Sequence, residues 1–144
     1  MSVARRIERD ARPEQLPALL DFIERACAGA HLPEDVAFAV RLAAEEACTN
    51  VIRHGYPGGA PGRVAVGIAR DASRVVVTIE DGGAPFDPAD APPPPTDASA
   101  EERPLGGLGW HLIRQVMDEV HHAHDAERGN TLTLVKRIPA PDYP

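Results

Sequence analysis

The sequence predicts an α+β fold, a two-layer sandwich in which a mixed, mostly antiparallel sheet carries its helices on one face. Three segments repeat apolar residues at helical spacing, and shorter runs alternate apolar and polar residues as strands do. Their order is strand, two helices, hairpin, long loop, helix and hairpin. At 144 residues the chain fits a single domain, residues 1–144, that is large enough to bury a core.

The strands are predicted from short alternating runs. Residues 3–9 form an edge strand, and residues 64–70 and 74–80 form a hairpin turned at residues 71–73. In that hairpin Val75, Val77 and Ile79 line one face. Residues 131–138 form the last strand, and a shorter strand at residues 120–126 pairs with it through a turn at residues 128–130.

The helices are predicted from apolar spacing and from their end signals. The first covers residues 13–28, with Gly29 just beyond its end. The second starts at Pro33 or Glu34 and must stop at the GYPGG run of residues 55–59, because Gly and Pro there cannot continue it. Its apolar arc consists of Val36, Val40, Ala43, Ala44, Ala47 and Val51. The third opens at residues 105–109 and is predicted to end near His121.

Composition and charge exclude several classes of partner. The net charge is −7 with a pI near 5.3, and no run of Lys or Arg is long enough to follow a phosphate backbone, so nucleic acid is not expected. No signal peptide or membrane span is recognisable, and a cytoplasmic location with no membrane partner is expected. Cys27 and Cys48 lie in predicted helices without a CxxC pair, which favours reduced, packed thiols.

The loop between the second hairpin strand and the third helix is unusually long. Residues 87–104 are rich in Pro, Ala and Asp, with four consecutive prolines at residues 92–95. Loops longer than about 12 to 15 residues in a compact domain are usually lids or linkers. Because few residues remain after this one, a mobile lid is predicted.

The second half of the long helix carries a carboxylate and a carboxamide on one side. Glu46 and Asn50 lie four residues apart at the border of the apolar arc, whereas Glu45 falls on the wetter side. A carboxylate facing a half-buried cleft is costly unless a charged group meets it, and a carboxamide oxygen suits magnesium. Taken alone, the pair is more typical of ordinary boundary residues, because a Glu and an Asn four residues apart recur by chance in many helices.

Two glycine-rich stretches add to this pair. Asp81 follows a buried strand and precedes Gly82 and Gly83, so its carboxylate could accept from the 6-amino group of adenine and would repel the 6-oxo group of guanine. Gly106, Gly107 and Gly109 stand at a helix N-terminus, where free N–H groups favour phosphate. Each stretch alone is a weak signal, and neither the P-loop nor the dinucleotide-binding pattern is present.

In combination these stretches resemble a known family. EACTNVIRHGYP, DGGAPFDP, GGLGWHLIRQVMDEV and GNTLTLVK are similar to the GHKL superfamily of ATP-binding domains, which have the Bergerat fold, and specifically to the anti-sigma factor serine kinases of the RsbW and SpoIIAB type. The resemblance implies an ATP- and Mg²⁺-dependent protein-serine kinase. Its expected substrate is a STAS-domain anti-sigma antagonist, and its alternate partner is a sigma factor or other regulatory target. The resemblance is also compatible with a homodimer.

The resemblance also implies roles for individual residues. Glu46 would be the general base, Asn50 the Mg²⁺ ligand and Asp81 the adenine contact. Gly83 would belong to the adenine pocket, and Gly107 and Gly109 to the phosphate turn. The other residues assigned to nucleotide binding are Arg53, His54, Gly55, Pro85, Phe86, Gly106, Leu108, Trp110 and Thr131. Of these, Trp110 is expected mainly to pack, and His54 either orders the site or caps the helix.

Two positions depart from the family pattern. Leu105 stands where such kinases often carry Arg, and Asn130 stands where they often carry Thr, so altered phosphate contacts are expected. Arg103 is assigned as a catalytic residue that could reach the γ-phosphate instead, although an exposed Arg is equally often a solvated charge. The departures keep open an alternative function, a nucleotide-dependent sequestering protein with little or no kinase activity.

Two other interpretations are disfavoured by the sequence. The ATP-binding half of a two-component histidine kinase would need a dimerisation helix with a phosphoacceptor His, and none precedes Glu46. His121, His122 and His124 lack Cys or carboxylate partners at ligand spacing, so surface imidazoles are expected rather than a zinc site.

Overall fold

The computed structural model describes residues 3–86 and 107–140. Within them, five strands form one sheet in the order β1-β2-β3-β5-β4, and every neighbouring pair is antiparallel. The strands are β1 (Val3–Asp10), β2 (Arg63–Arg70), β3 (Arg74–Asp81), β4 (Glu119–Asp125) and β5 (Gly129–Arg137). The described sheet is therefore antiparallel rather than mixed.

The helices are gathered on one face of this sheet. They are α1 (Leu16–Gly29), which follows a 3₁₀ turn at Pro13–Gln15, α2 (Glu34–Asn50) and α3 (Gly107–Val116). The predicted α+β sandwich is confirmed. Among the described residues, no helix has the length and apolar character needed to cross a membrane.

The core lies between α2 and the middle of the sheet. Val75, Val77 and Ile79 of β3 are almost completely buried, as the alternation in the sequence predicts. They pack in one cluster with the inward face of α2, where Ala43 and Ala44 are fully buried. Because alanine side chains are short, the α2 backbone can lie close to the sheet. The polar residues at the border of the apolar face of α2 are therefore held close to the strands.

The predicted end of the third helix was wrong. The helix ends at Val116, and Val120 and His121 belong to β4 instead. The backbone N–H of Asp118 donates to the carbonyl of Val135 at 2.9 Å, so pairing with β5 begins where helical spacing still continues in the sequence. A short run of apolar residues can fit either the helical or the strand period, and pairing with a neighbouring strand decides between the two.

Two turns also differ from the prediction. Gly29 is the last residue of α1, and the left-handed residue that follows the helix is His31, with φ 53°. The β4–β5 turn lies at residues 126–128, two residues earlier than predicted, and Gly129 already belongs to β5 with φ 88°. The predicted lid at residues 87–104, which includes Arg103, lies outside the described residues, as do Leu105 and Gly106.

Candidate functional site

The ends of α2, β3 and α3 meet on the helix side of the sheet. At Gly109, in the first turn of α3, an added Cβ would lie 2.8 Å from Oε2 of Glu46 and 3.5 Å from Nδ2 of Asn50. The glycine backbone thus lies beside both polar side chains of α2, and a methyl group at this position would crowd the Glu46 carboxylate. Helical spacing places Glu46 and Asn50 on one side of α2, and only the fold brings α3 to them.

Glu46 is half-buried and Glu45 is exposed, which agrees with the predicted orientation of the two side chains. Burial raises the pKa of the Glu46 carboxyl group, the charge of Glu45 raises it further, and Arg53 opposes the shift. A carboxylate in this environment binds a proton more readily than one in water. It is therefore suited to accept a proton from a donor placed beside it.

Asn50 has a buried polar atom without a partner. Its Nδ2 makes no hydrogen bond to any of the described residues. Leaving a buried donor unsatisfied costs about 1 to 3 kcal/mol. The carboxamide, the Glu46 carboxylate and the bare backbone of Gly109 together form a polar corner that suits a bound polar ligand.

Beyond Asn50 the chain widens into a π-helical turn, Val51–Gly55, which contains Arg53 and His54. Both of these side chains are exposed. The turn ends at the carbonyl of Gly55, which accepts a hydrogen bond from the N–H of Ala84 at 3.2 Å. The end of the long helix is thereby attached to the turn that follows β3.

Tyr56 makes a second attachment that the sequence analysis missed. Its hydroxyl oxygen accepts from the N–H of Gly82 at 2.8 Å and from the N–H of Arg63 at 3.0 Å, and the hydroxyl donates to the Arg63 carbonyl. One hydroxyl group therefore links the loop after α2 to the start of β2 and the end of β3. The signal was available, because Tyr56 lies inside the HGYP stretch that contributed to the family resemblance.

Asp81 is the last residue of β3, and its side chain is buried, with 7% exposure. Its Oδ1 accepts from the N–H of Gly83 at 2.8 Å and from Nδ2 of Asn130 at 3.1 Å. Among the described residues no hydrogen bond engages the other oxygen, Oδ2. The carboxylate is thus held by one oxygen and keeps the other as an acceptor for a ligand.

Two glycines allow the backbone to close around Asp81. A Cβ at Gly83 would overlap the carbonyl oxygen of Gly55. A Cβ at Gly129 would overlap the carbonyl oxygen of Asp81, and the φ of 88° is itself unfavourable for other residues. The glycines of this turn are therefore required by close backbone contacts.

Asn130, which stands where the family often carries Thr, is hydrogen-bonded to the Asp81 turn. It is buried, with 6% exposure, and its Nδ2 also donates to the carbonyl of Ala84 at 2.8 Å. Its Oδ1 accepts from the N–H of Phe86 at 3.2 Å. Because β5 pairs Asn130 directly with Asp81, a residue distant in sequence supports the whole turn.

Thr131 lies on the face of the sheet opposite the Asp81 side chain. Side chains alternate along a strand, and the neighbours Asn130 and Leu132 face Asp81 and the core respectively. Thr131 therefore faces the opposite side of the sheet, where it is paired with Glu80. The strand period could have shown this if the direction of Asn130 had been known.

Phe86 and Trp110 connect the Asp81 turn to α3. Their rings stack with centroids 5.3 Å apart and an interplanar angle of 24°. Trp110 is buried and Phe86 is 44% exposed, which places Trp110 in the packed position expected for it. Pro85, the neighbour of Phe86, is exposed. Gly107 and Leu108 lie in the first turn of α3, beside Gly109.

Residues 10–136 match the family model described as a histidine kinase-like ATPase domain. The chain belongs to this family. The match covers every strand and helix named above except β1, of which it includes only Asp10, and the last residue of β5, Arg137. An ATPase-type domain implies ATP binding, and the site just described lies within the matched residues.

The relatives found among curated proteins are bacterial. The chain is 34% identical to the serine-protein kinase RsbW of Bacillus pumilus over 67% of its own length and 62% of that protein. It is 31% identical to the serine/threonine-protein kinase BtrW of Bordetella bronchiseptica, over 67% of the chain and 68% of the relative. It is also 31% identical to the anti-sigma F factor of Bacillus thuringiensis, over 69% and 68%.

The structural comparison supports the fold. The RsbU and RsbW domains of a Mycobacterium tuberculosis protein match with a TM-score of 0.64 at 19% identity, over 96% of this chain and 33% of that one. The predicted resemblance to RsbW-type proteins is confirmed by these comparisons. The individual roles assigned to site residues stay predictions.

Proposed function

We propose that this protein is an ATP-dependent protein-serine kinase of the partner-switching type. It phosphorylates a serine of a STAS-domain antagonist and alternately sequesters a sigma factor or another regulatory target. The observation that carries this proposal is the contact of Glu46 and Asn50 with the backbone of Gly109, on the same side of the sheet as the half-engaged carboxylate of Asp81. The kinase and anti-sigma names of the relatives support it.

The Asp81 turn would hold the base of the nucleotide. Its free oxygen, Oδ2, accepts from the 6-amino group of adenine, while Oδ1 stays bound to Gly83 and Asn130. The 6-oxo group of guanine at the same place would face the carboxylate, and because both groups are acceptors neither could donate a hydrogen bond to the other. The turn therefore favours ATP over GTP.

The corner formed by Glu46, Asn50 and Gly109 would hold the phosphates. Backbone N–H groups of the first turn of α3 are free to bind phosphate oxygens, since a helix leaves its first four N–H groups unpaired. The residues fit Mg²⁺ through the Asn50 carboxamide oxygen, a hard ligand that Mg²⁺ accepts together with phosphates, while the Nδ2 atom that the described residues leave unpaired would be available to donate to a phosphate oxygen. When bound, Mg²⁺ would neutralise charge on the transferring phosphoryl group.

Glu46 would act as the general base. The serine hydroxyl gives its proton to the Glu46 carboxylate while the serine oxygen forms a bond to the γ-phosphorus. The bond between that phosphorus and the oxygen that bridges it to the β-phosphate breaks, and ADP is released. The raised pKa of Glu46 suits this step, because a more basic carboxylate accepts the proton more readily.

The test compares Glu46→Gln with Glu45→Gln. The first removes the base and should lower phosphotransfer by ~10²- to 10⁴-fold while ADP still binds. The second removes an exposed neighbour that only adds to the raised pKa of Glu46, so it should change the rate far less than the first variant does. Phosphotransfer is measured with radiolabelled ATP and co-purified STAS-domain proteins. An unimpaired Glu46→Gln variant would contradict the assigned base, and nucleotide binding without any transfer by the native protein would favour the sequestering alternative.

A further inference from the structure

A histidine outside the predicted site is joined to the Asp81 turn. His122 in β4 is half-buried, and its Nε2 lies 2.9 Å from Oδ1 of Asn130. Its neighbour His121 is exposed on the opposite face, where its Nε2 lies 2.9 Å from Oε1 of Glu119. The expectation of surface imidazoles therefore does not fit His122.

The partners of Asn130 determine how its carboxamide is oriented. Asp81 Oδ1 and the Ala84 carbonyl can only accept, so they require the NH₂ group of Asn130. The backbone N–H of Phe86 can only donate, so it requires Oδ1. Since Oδ1 also faces His122, the imidazole must donate from Nε2. All four hydrogen-bonding positions of the carboxamide are then used.

We propose that Asn130 and His122 form a positioning pair that fixes the orientation of the Asp81 carboxylate and so sets the selectivity for 6-amino purine nucleotides. The inference rests on the proposed function, in which Asp81 binds the base. His122 fixes the Asn130 amide, and Asn130 fixes Oδ1 of Asp81. Neither residue needs to touch the nucleotide.

The physical reason is the softness of the carboxylate torsion. The terminal torsion of Asp is broad and two-fold, so the side chain by itself does not select one orientation. Two hydrogen bonds to Oδ1, one from the Gly83 backbone and one from Asn130, restrict that torsion and leave Oδ2 as the acceptor. A site whose acceptor is fixed in advance loses less freedom on binding and discriminates more sharply.

The experiment measures the affinities of ADP and inosine diphosphate (IDP) by calorimetry. IDP carries a 6-oxo group in place of the 6-amino group, so the ratio of the two affinities reports on the contact at that position. We expect Asn130→Ala to lower the ADP-to-IDP preference about tenfold and His122→Ala to lower it about threefold. His122→Gln should restore part of the preference, because a carboxamide N–H can replace the Nε2 donor.

The matched control is His121→Ala, which removes an imidazole from the same strand but from the other face. It should leave the preference unchanged. A role of His122 in stability alone would weaken ADP and IDP equally and would leave their ratio constant, and that result would overturn the proposal. If the native protein shows no preference for ADP, the proposed function of Asp81 itself fails, which is a separate outcome.

A second measurement needs no variant and covers the case in which Asn130→Ala does not fold. Nitrogen-15 NMR of the native protein reports which ring nitrogen of His122 carries a proton. We expect a protonated Nε2, because the Oδ1 acceptor requires it. A neutral ring with a bare Nε2 would reverse the direction of the hydrogen bond and would overturn the positioning pair.

Discussion

Glu46 and Asn50 show how single residues acquire properties from their position. Glu46 differs from Glu45 by one step along α2, yet only Glu46 is partly withdrawn from water and has a raised pKa. Asn50 has an amide nitrogen that the described residues leave unpaired. Both residues are costly for the folded protein when no ligand is bound, which is typical of sites that bind one.

The raised pKa of Glu46 predicts the pH dependence of phosphotransfer. The base must be ionised, so the rate should rise with pH and its acidic limb should have a midpoint above the usual range of a glutamic acid. The sign for stability is the reverse: the contribution of Glu46 to folding is greatest below its unfolded pKa and is lost as the pH rises through its folded pKa. Single-turnover rates across pH test this, with unfolding midpoints recorded in parallel. An acidic limb with its midpoint at the ordinary pKa of a glutamic acid would contradict the assignment of Glu46 as the base.

Asp81→Asn should weaken ADP binding by about 1 to 3 kcal/mol, because it replaces a charged acceptor in a buried hydrogen bond. The control is Glu80→Gln, which removes a carboxylate from the preceding residue, on the other face of β3. Calorimetric titration with ADP and GDP measures both variants. Native affinity for ADP in Asp81→Asn would exclude the adenine contact.

At the scale of elements, the site depends on how closely three chain segments approach one another. The π-helical turn after α2, the turn after β3 and the first turn of α3 meet through backbone groups and glycines. π-Helical turns are found often at functional sites. Here a regular helix would continue past the point where the three segments make contact. The segments are positioned by the sheet and the alanine-rich face of α2.

Gly83→Ala and Gly82→Ala test this close approach as a pair. At Gly83 the new methyl group would overlap the Gly55 carbonyl, so the turn must move and ADP affinity should fall by at least tenfold. At Gly82 the nearest atom would be the Tyr56 hydroxyl at 3.6 Å, an ordinary contact, so affinity should stay near that of the native protein. Titration with ADP and a thermal melt separate loss of the site from loss of the fold. Equal affinities for the two variants would show that the Gly55–Gly83 approach does not shape the pocket.

At the scale of the whole molecule, the proposed switch depends on charge. In the proposed function, the acceptor serine must come within hydrogen-bond reach of Glu46, beside the phosphates that would bind at Gly109. After transfer, a phosphoryl group of about −1.5 to −2 charge would face Glu46 and the phosphates of ADP. Like charges in a docked interface cost several kcal/mol, so the phosphorylated antagonist should be released.

This release is measured with the STAS-domain protein proposed as substrate, in its unmodified and fully phosphorylated forms, with ADP present. The phosphorylated form should bind at least tenfold more weakly. When the protein is already in complex with its regulatory target, it should not bind the unmodified antagonist as well. A stable ternary complex, or equal affinity for the two forms, would contradict partner switching and leave the nucleotide site unaffected.

The sequence by itself determined the fold class, the faces of the strands and helices and the direction of Glu46. Each of these follows from local periodicity, because burial of an apolar face selects one side of an element. The end of the third helix was predicted wrongly because the residues after Val116 fit both periods, and only pairing with β5 shows that a strand begins at Glu119.

Only the tertiary structure decided which polar side chains meet. Asn130 and Asp81 are 49 residues apart, and their contact depends on the register of β5 against β3. The same register placed Thr131 on the far face, and the register of β4 against β5 brought His122 to the carboxamide of Asn130. A shift of one residue would turn every side chain of β5 to the other face, and no local pattern specifies that pairing. The sequence therefore named the carboxylate that contacts the base in the proposed function, whereas the fold supplied the two residues that hold it.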